Sequence, residues 1–455
     1  MAQINPYIFR EYDIRGVVDK DLTDEVVLLL GKAFGTYLQR QGGRKVSVGG
    51  DVRLSTERFK KVLIQGLTST GVDVVDIGIV PTPVQYFSLF KLNVDGGVMI
   101  TGSHNPPDFN GFKMSVGQST IYGEEIQKLR QIIEQDEFLT GEGQVETRDL
   151  IDDYINDLKS RIHIQGKIKA VVDCGNGAAS LVAEKLMREL GIDAYMMYCE
   201  PDGTFPNHHP DPTVEENVKD LREQVLKLGA NLGVAYDGDA DRIGVIDDKG
   251  DIVWGDRLLI LFARDVLQEK KGQKIIFEVK CSQALPEAIE AAGGEPIMWK
   301  TGHSLLKKKM KETGATIAGE MSGHLFFADR YYGYDDAIYA SVRLMELLSR
   351  SGKNISELLA DVPQYYSTPE MRVETASDEE KFKIAQKAAE YFKEHYEVID
   401  VDGVRILFGD GWGLVRASNT QPVLVLRFEA KTPERLEEIK NLVLNKLKEF
   451  GDIKI

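Results

Sequence analysis

Three stretches of the chain share one plan, and that plan restricts the fold more than any other feature. They are "RKVSVGGDVRLSTERFKKVLIQGLTSTGVDVVDIG" from Arg44, "KIKAVVDCGNGAASLVAEKLMRELGIDAYMMY" from Lys167 and "KIIFEVKCSQALPEAIEAAGGEPIMWKTGHS" from Lys274. Each passes from an apolar run through a polar turn into an amphipathic helix, a glycine and a second apolar run. Strand, helix and strand in that order make a parallel βαβ crossover, which turns right-handed when its helix packs back on the sheet. The recurrence predicts three similar mixed α/β domains, each a sheet flanked by helices.

Beyond about residue 366 the plan changes. A helix near "DEEKFKIAQKAAEYFKEH" precedes the short runs "VDGVRILFG", "GWGLVRAS" and "PVLVLRFEA", and a last helix starts at "PERLEEIKNLVLNKLKEF". Glycine and aspartate between short apolar runs favour an antiparallel meander packed by helices, a smaller α+β domain. The expected domains are 1–150, 151–254, 255–365 and 366–455, arranged around a central cleft, since a site is expected between domains.

With 455 residues the chain is long enough for several cores. Its net charge of -16 argues against a general nucleic-acid surface, because phosphate backbones demand a basic footprint. No apolar run of about 18 residues can span a bilayer, and the charged start from Met1 to Arg15 lacks a secretory apolar stretch, so no membrane partner and a cytoplasmic location are expected. Cys174, Cys199 and Cys281 are too few and too scattered for a disulfide framework or a zinc site, and are expected as buried, reduced thiols.

The chemistry gathers in six short segments. In "YDGDADRIGVID", Asp237, Asp239 and Asp241 alternate with Gly238 and Ala240, so a strand-end loop can direct three carboxylates at one cation. Magnesium suits them best, as a hard ion with few protein ligands that completes its shell with phosphate oxygen. An EF-hand is excluded: Arg242 and Asp248 stand where that loop needs glycine and a bidentate glutamate. Arg242 sets a fixed positive fork beside the cation, suited to phosphoryl oxygens.

In "KTGHSLLKKKM", His303 lies at a strand-to-helix junction where free backbone N–H groups favour anions, although taken singly it reads first as a structural histidine. "AGEMSGHLFF" supplies Glu320, Ser322 and His324, a carboxylate, a hydroxyl and an imidazole suited to sugar hydroxyls. "RASNTQPVLVLRFEA" offers Arg416, Ser418, Asn419 and Thr420, with Arg427 following, a composition suited to a phosphate nest or to a simple β-turn. "FREYDIRG" clusters Arg10, Tyr12 and Arg15, more charge than a buried strand holds.

"TGSHNPPDFNGFK" carries Ser103, His104 and Lys113. A hydrolase elbow needs G-x-S-x-G, which this stretch lacks. An exposed serine can instead carry a phosphoryl group, its charge shared by a cation at "DGDAD" and by Lys113.

Together "TGSHNPPDFNGFK", "DGDADR", "GEMSGH" and "RASNTQP" resemble, in order, the four signatures of the α-D-phosphohexomutase superfamily, closest to its bacterial phosphomannomutase/phosphoglucomutase branch. The resemblance spans essentially the whole chain. It implies three related α/β domains and a smaller fourth, and reversible phosphoryl transfer between C6 and C1 of mannose or glucose phosphates. It further implies phosphorylated Ser103 as the relay and hexose 1,6-bisphosphate as bound intermediate and activator. Under it Ser103, Asp237, Asp239 and Asp241 hold Mg²⁺, while Ser103, His104, Lys113 and Arg242 act in transfer. Tyr12, Arg15, Lys280, His303, Glu320, Ser322, His324, Arg416, Ser418, Asn419 and Thr420 bind substrate.

A monomer or weak homo-oligomer is expected. Met321 stands where phosphoglucosamine enzymes of the superfamily carry glutamine, which favours unaminated sugars. The alternatives are a phosphoglucosamine mutase of the same superfamily, a magnesium-dependent sugar phosphatase with Asp237 as nucleophile, and a phosphosugar-binding regulator.

Overall fold

The structure is a computed structural model that describes residues 4–418 and 423–454. The chain divides into two compact units, one of Met1–Leu258 with Ser322–Ala360, the other of Leu259–Met321 with Asp361–Ile455.

In the first unit the opening βαβ stretch builds a parallel core. Lys45–Gly50 pairs in parallel with Asp73–Ile79 on one side and Gly96–Ile100 on the other. Val46, Val48, Val74, Val98 and Ile100 are fully buried in it, each worth about 1.5–3 kcal/mol relative to exposure. Helix Asp24–Arg40 is capped by Thr23, whose Oγ1 accepts from Val26 N at 3.3 Å. It crosses helix Thr56–Thr68 at a glycine pair: a Cβ on Gly31 would lie 2.5 Å from Leu63 O.

The direction then reverses. Phe109–Val116 returns antiparallel beside Gly96–Ile100, with Lys113 opposite Met99, so residues 101–108 form the connection at the end of a buried strand. Ile14–Val17 completes that edge, pairing antiparallel with Phe109–Phe112 and setting Arg15 opposite Gly111.

The second sheet runs Ile252–Val253, Ile243–Ile246, Leu232–Tyr236, Lys169–Asp173, Asp193–Met197. Its last three strands are parallel, whereas Leu232–Tyr236 and Ile243–Ile246 are antiparallel with Tyr236 opposite Ile243. Residues 237–242 are therefore a hairpin loop at the carboxyl end of a buried strand, the usual position of a ligand site in an open α/β sheet.

In the second unit Lys274–Glu278 pairs in parallel with Glu295–Trp299 and Ile317–Gly319. The C-terminal part is the expected meander: Glu397–Ile399, Val404–Leu407, Gly411–Ala417 and Val423–Ala430 follow one another antiparallel. Helices Asp378–His395 and Pro433–Phe450 cover it, sharing a core of Phe392, Ile406, Leu424, Phe428, Val443 and Leu447. Mixed α/β sheets with flanking helices are the fold class read from the sequence.

Candidate active site

Ser103 sits in a left-handed backbone conformation, φ 48°, which for a non-glycine residue costs on the order of 1–3 kcal/mol and persists only where its surroundings enforce it. Buried polar groups supply that enforcement. Ser103 N donates to Thr101 Oγ1 at 2.8 Å, and Thr101 Oγ1 and Gly102 N donate to Asp51 Oδ2 at 2.7 and 3.2 Å. The Arg53 guanidinium spans the loop from within, donating to the carbonyls of Ser103, Asn105, Pro106 and Phe109 at 2.8, 2.6, 2.5 and 2.9 Å. The loop's inward carbonyls are thus tied to one buried cation.

The hydroxyl faces the acidic hairpin. Ser103 Oγ donates to Asp237 Oδ2 at 2.9 Å, and Asp237, Asp239 and Asp241 are all fully buried. One oxygen from each aspartate lies within 4.8 Å of the others, a group that can hold a metal ion. Oδ1 of Asp239 and Oδ1 of Asp241 have no hydrogen-bond partner among the described residues. Buried carboxylate oxygens left in that state are strongly unfavourable unless a cation meets them, so the residues fit a divalent metal.

Gly238 makes the approach possible, since a Cβ there would stand 2.4 Å from Ser103 O. Ala240 turns the loop with φ 63°.

Lys113 reaches the cluster from its strand, pairing with Asp239 Oδ2 at 2.8 Å and also with Asp241 Oδ2. Burial opposes its charge, but Asp239 and Asp241 hold its pKa well above the usual lysine value. Burial likewise opposes the Asp239 carboxylate, yet Lys113 brings its pKa below the ordinary range, helped by Thr82 Oγ1 donating at 2.6 Å. Burial, together with the charges of Asp241 and Asp239, pushes Asp237 up to about 8. Arg242 Nε lies 3.1 Å from Asp237 Oδ2 and its Nη1 3.7 Å from Asp211 Oδ1.

His104 Nδ1 is 3.2 Å from Ser103 Oγ. Burial, then the cations Arg242 and Arg15, drive its pKa well below the usual histidine value, so the ring is neutral at pH 7. Arg15 pairs with Asp13 and donates from Nη1 to Asn105 Oδ1 at 3.1 Å, which brings it to the serine loop; Tyr12 is half-buried on the same segment.

Gly323 seats on the acidic hairpin: its carbonyl accepts from Ile243 N at 3.1 Å, its φ is 98°, and a Cβ there would stand 2.2 Å from Ile243 O. That contact brings His324 Nδ1 to 3.8 Å from Asp241 Oδ1 and 3.1 Å from buried Asp335 Oδ2. Ser322 precedes it, half-buried.

The second unit gathers the others. Lys280 Nζ pairs with Glu370 at 3.0 Å, its backbone N–H donates to Glu278 Oε2 at 2.7 Å, and Arg427 Nη1 donates to its carbonyl. His303, nearly buried, opens helix His303–Thr313, and Gly302 N before it donates to Glu320 Oε1 at 2.6 Å. Arg416 Nε lies 3.2 Å from Asp402 Oδ2, an oxygen that also accepts from Thr301 N at 3.0 Å. Ser418 is buried and donates its backbone N–H to Val423 O at 3.0 Å. Asn419 and Thr420 lie outside the described residues.

Sequence reading missed Asp51, Arg53, Thr82, Asp335 and Glu278. Glu278 accepts from Lys280 N, from Thr301 Oγ1 at 3.0 Å and from Met321 N at 3.3 Å, tying three predicted segments together. Asp51 and Arg53 had a usable signal, because "GGDVR" sets two charges immediately after a strand that is mostly buried, where an α/β sheet presents its loops.

Fold and site define a class: a four-domain α/β enzyme with a serine hydroxyl held against three buried carboxylates, as in the phosphohexomutases. Models described as phosphoglucomutase/phosphomannomutase α/β/α domains I, II and III and C-terminal domain match residues 6–140, 152–250, 254–366 and 370–446. A phosphomannomutase/phosphoglucomutase of Pseudomonas aeruginosa is 49% identical over 444 residues, covering 97% of this chain and 95% of that one. A phosphoglucomutase of Neisseria meningitidis is 45% identical over 445 residues, covering 97% and 96%. A crystal structure of a phosphoglucomutase/phosphomannomutase family protein from Burkholderia thailandensis superposes with a TM-score of 0.94 at 43% identity, covering 100% of both chains. The chain belongs to the phosphoglucomutase/phosphomannomutase family.

Proposed function

We propose that the chain interconverts the 6-phosphate and 1-phosphate of mannose and glucose by passing a phosphoryl group through Ser103, with a hexose 1,6-bisphosphate as bound intermediate and activator. The observation that carries this reading is the Ser103 hydroxyl, 2.9 Å from Asp237 and beside carboxylate oxygens that lack partners.

Asp237, Asp239, Asp241 and Ser103 would hold Mg²⁺. When bound, the ion supplies positive charge for phosphoryl oxygens. Phosphoryl transfer needs mainly positioning and charge neutralisation, and Lys113 and Arg242 supply fixed cations on either side of the aspartates. When the phosphoryl group leaves Ser103 Oγ, that oxygen gains the proton which the accepting sugar hydroxyl loses. His104, neutral and 3.2 Å away, is suited to hold that proton in transit.

Glu320, Ser322 and His324 are assigned to sugar hydroxyls. Arg416, Ser418, Asn419 and Thr420 are assigned to the phosphate not undergoing transfer, with Tyr12, Arg15, Lys280 and His303 as further substrate contacts. The domains are assigned as 1–150, 151–254, 255–365 and 366–455, and the protein is read as cytoplasmic, monomeric or weakly self-associating. Among the described residues no helix is long and apolar enough to cross a membrane.

Ser103→Ala tests the reading. With bisphosphate as primer, the variant should lose interconversion of mannose 6-phosphate and mannose 1-phosphate while retaining phosphosugar binding. Substantial residual turnover removes Ser103 as the relay.

A further inference from the structure

Two of the three cysteines, far apart in sequence, meet in the fold. Cys174 follows the strand Lys169–Asp173, and Cys199 closely follows its parallel neighbour Asp193–Met197, so both thiols stand at the carboxyl end of one sheet. The backbones are fixed there, Asp173 opposite Met197 and Cys174 N donating to Met197 O at 3.0 Å. Both cysteines are free thiols, and Cys199 Sγ lies 2.8 Å from Cys174 Sγ. A disulfide needs sulfurs about 2.05 Å apart, so closure asks for an approach of roughly 0.75 Å.

The pair differs in access. Cys174 is fully buried and Cys199 partly exposed, so a reagent from solvent meets Cys199 first. Burial, with Cys199 beside it, also pushes the Cys174 thiol well above its ordinary pKa, which leaves it protonated and protected from direct attack.

The chain after Cys174 leads directly to the site. It turns through left-handed Gly175 (φ 53°) and Asn176 (φ 57°), and Ala178 N then donates to Gly238 O at 2.9 Å. A Cβ on Gly177 would stand 2.8 Å from that same oxygen, so the turn and the metal hairpin are in contact. Gly238 in turn lies against the Ser103 backbone. Three residues, Gly175, Asn176 and Gly177, therefore lie between Cys174 and the residue that bonds the hairpin facing the serine.

We propose that Cys174 and Cys199 form a reversible oxidation site at which a hydroperoxide closes a disulfide, and that closure draws the Cys174–Ala178 turn off Gly238 and slows turnover. In the first step Cys199 sulfur attacks the peroxide: the O–O bond breaks, a sulfenic acid forms and an alcohol, or water from hydrogen peroxide, leaves. In the second, Cys174 sulfur attacks that sulfur: the S–S bond forms, the S–O bond breaks, and the thiol proton leaves with hydroxide as water. The pair loses two electrons and the peroxide gains them. A dithiol reductant reverses the change by exchange. Intracellular disulfides of this kind are usually transient and sensory.

The slowing of turnover rests on the mutase reading; the disulfide does not. Reduced full-length protein is treated with hydrogen peroxide, denatured, alkylated with iodoacetamide and measured by intact mass and peptide mapping, with turnover followed in parallel. The expected result is one alkylated cysteine, Cys281, a linked peptide pair joining Cys174 to Cys199, and a fall in turnover of roughly tenfold to a hundredfold, the effect of an ångström-scale displacement near reacting groups. Dithiothreitol should restore both. Cys199→Ser should form no link and keep its turnover in peroxide.

Absence of the Cys174–Cys199 link overturns the site. A link with unchanged turnover overturns the coupling, as does Cys199→Ser inhibited as strongly as the parent. A link in a protein that shows no mutase turnover even when reduced bears out the site and removes the mutase reading instead.

Discussion

Replacing Arg53 by methionine should damage both stability and turnover, although the guanidinium is not assigned to substrate. The side chain is fully buried, pairs with Asp51 at 3.3 Å and donates to four carbonyls of the serine loop. Each hydrogen bond from a charged donor is worth about 1.5–3 kcal/mol in isolation, but the four share one group and do not add. A firmer figure comes from the buried partner left behind: stranding Asp51 without its cation costs about 3–5 kcal/mol. At a few degrees per kcal/mol the melting temperature should fall by roughly 6–20 °C.

Burial already raises the Asp51 pKa while Arg53 lowers it, so the variant relieves part of the cost by protonating Asp51 and should recover stability as pH falls. The carbonyls of Ser103, Asn105, Pro106 and Phe109 then lose their common donor, the hold on Ser103 at φ 48° loosens, and kcat, measured well below the variant's melting temperature, should drop by about tenfold or more with KM less affected. Arg53→Lys keeps the charge and loses the fork, and should recover stability before it recovers kcat. Thermal melts followed by circular dichroism and steady-state kinetics read both quantities. A variant with the parent's melting temperature and the parent's kcat refutes the account of the loop.

Lys113→Met should destabilise the metal-free protein by about 3–5 kcal/mol, because Asp239 and Asp241 then face each other without a cation. Saturating Mg²⁺ should recover part of that loss in a melt, and equal losses with and without Mg²⁺ contradict the assignment. Asp237, held up to about 8 by burial and its acidic neighbours, carries a proton at pH 7 in the metal-free protein. Mg²⁺ must displace that proton, so affinity should rise with pH up to about 8, with proton release visible by calorimetry in buffers of different ionisation heat. Binding without proton release at pH 7 refutes it. The same raised pKa means that the metal-free fold binds more protons at Asp237 than the unfolded chain, so this contribution to stability is present at low pH and fades as pH rises through about 8; a melting temperature that climbs over that range contradicts it. Chelation should stop transfer while phosphosugar binding partly persists, and full activity in excess chelator excludes the metal.

By itself the sequence determined the elements and the chemical inventory. Runs such as "KVSVGG" and "NLGVAY" can only be buried strands, and the polar turn after each marks where an α/β sheet presents its loops, so the serine and aspartate segments were legible as strand-end chemistry. Periodicity and motif spacing are local, however, and the site is not.

Ser103 meets Asp237 across 134 residues and Thr82 meets Asp239 across 157, pairings that only the tertiary meeting of segments beyond the ends of two different sheets sets. For the same reason Arg53, whose local string marks it only as a strand-end charge, proves to be the buried clamp of a loop 50 residues away. His324 required Gly323 to seat on the Ile243 backbone before it could reach Asp241, and Cys174 and Cys199, read as scattered thiols, became neighbours once two parallel strands aligned their ends. Burial then decided the electrostatics: three like charges, which water would leave ionised, become in a dry cluster one raised carboxyl, one lysine-paired carboxylate and two oxygens without a hydrogen-bond partner among the described residues.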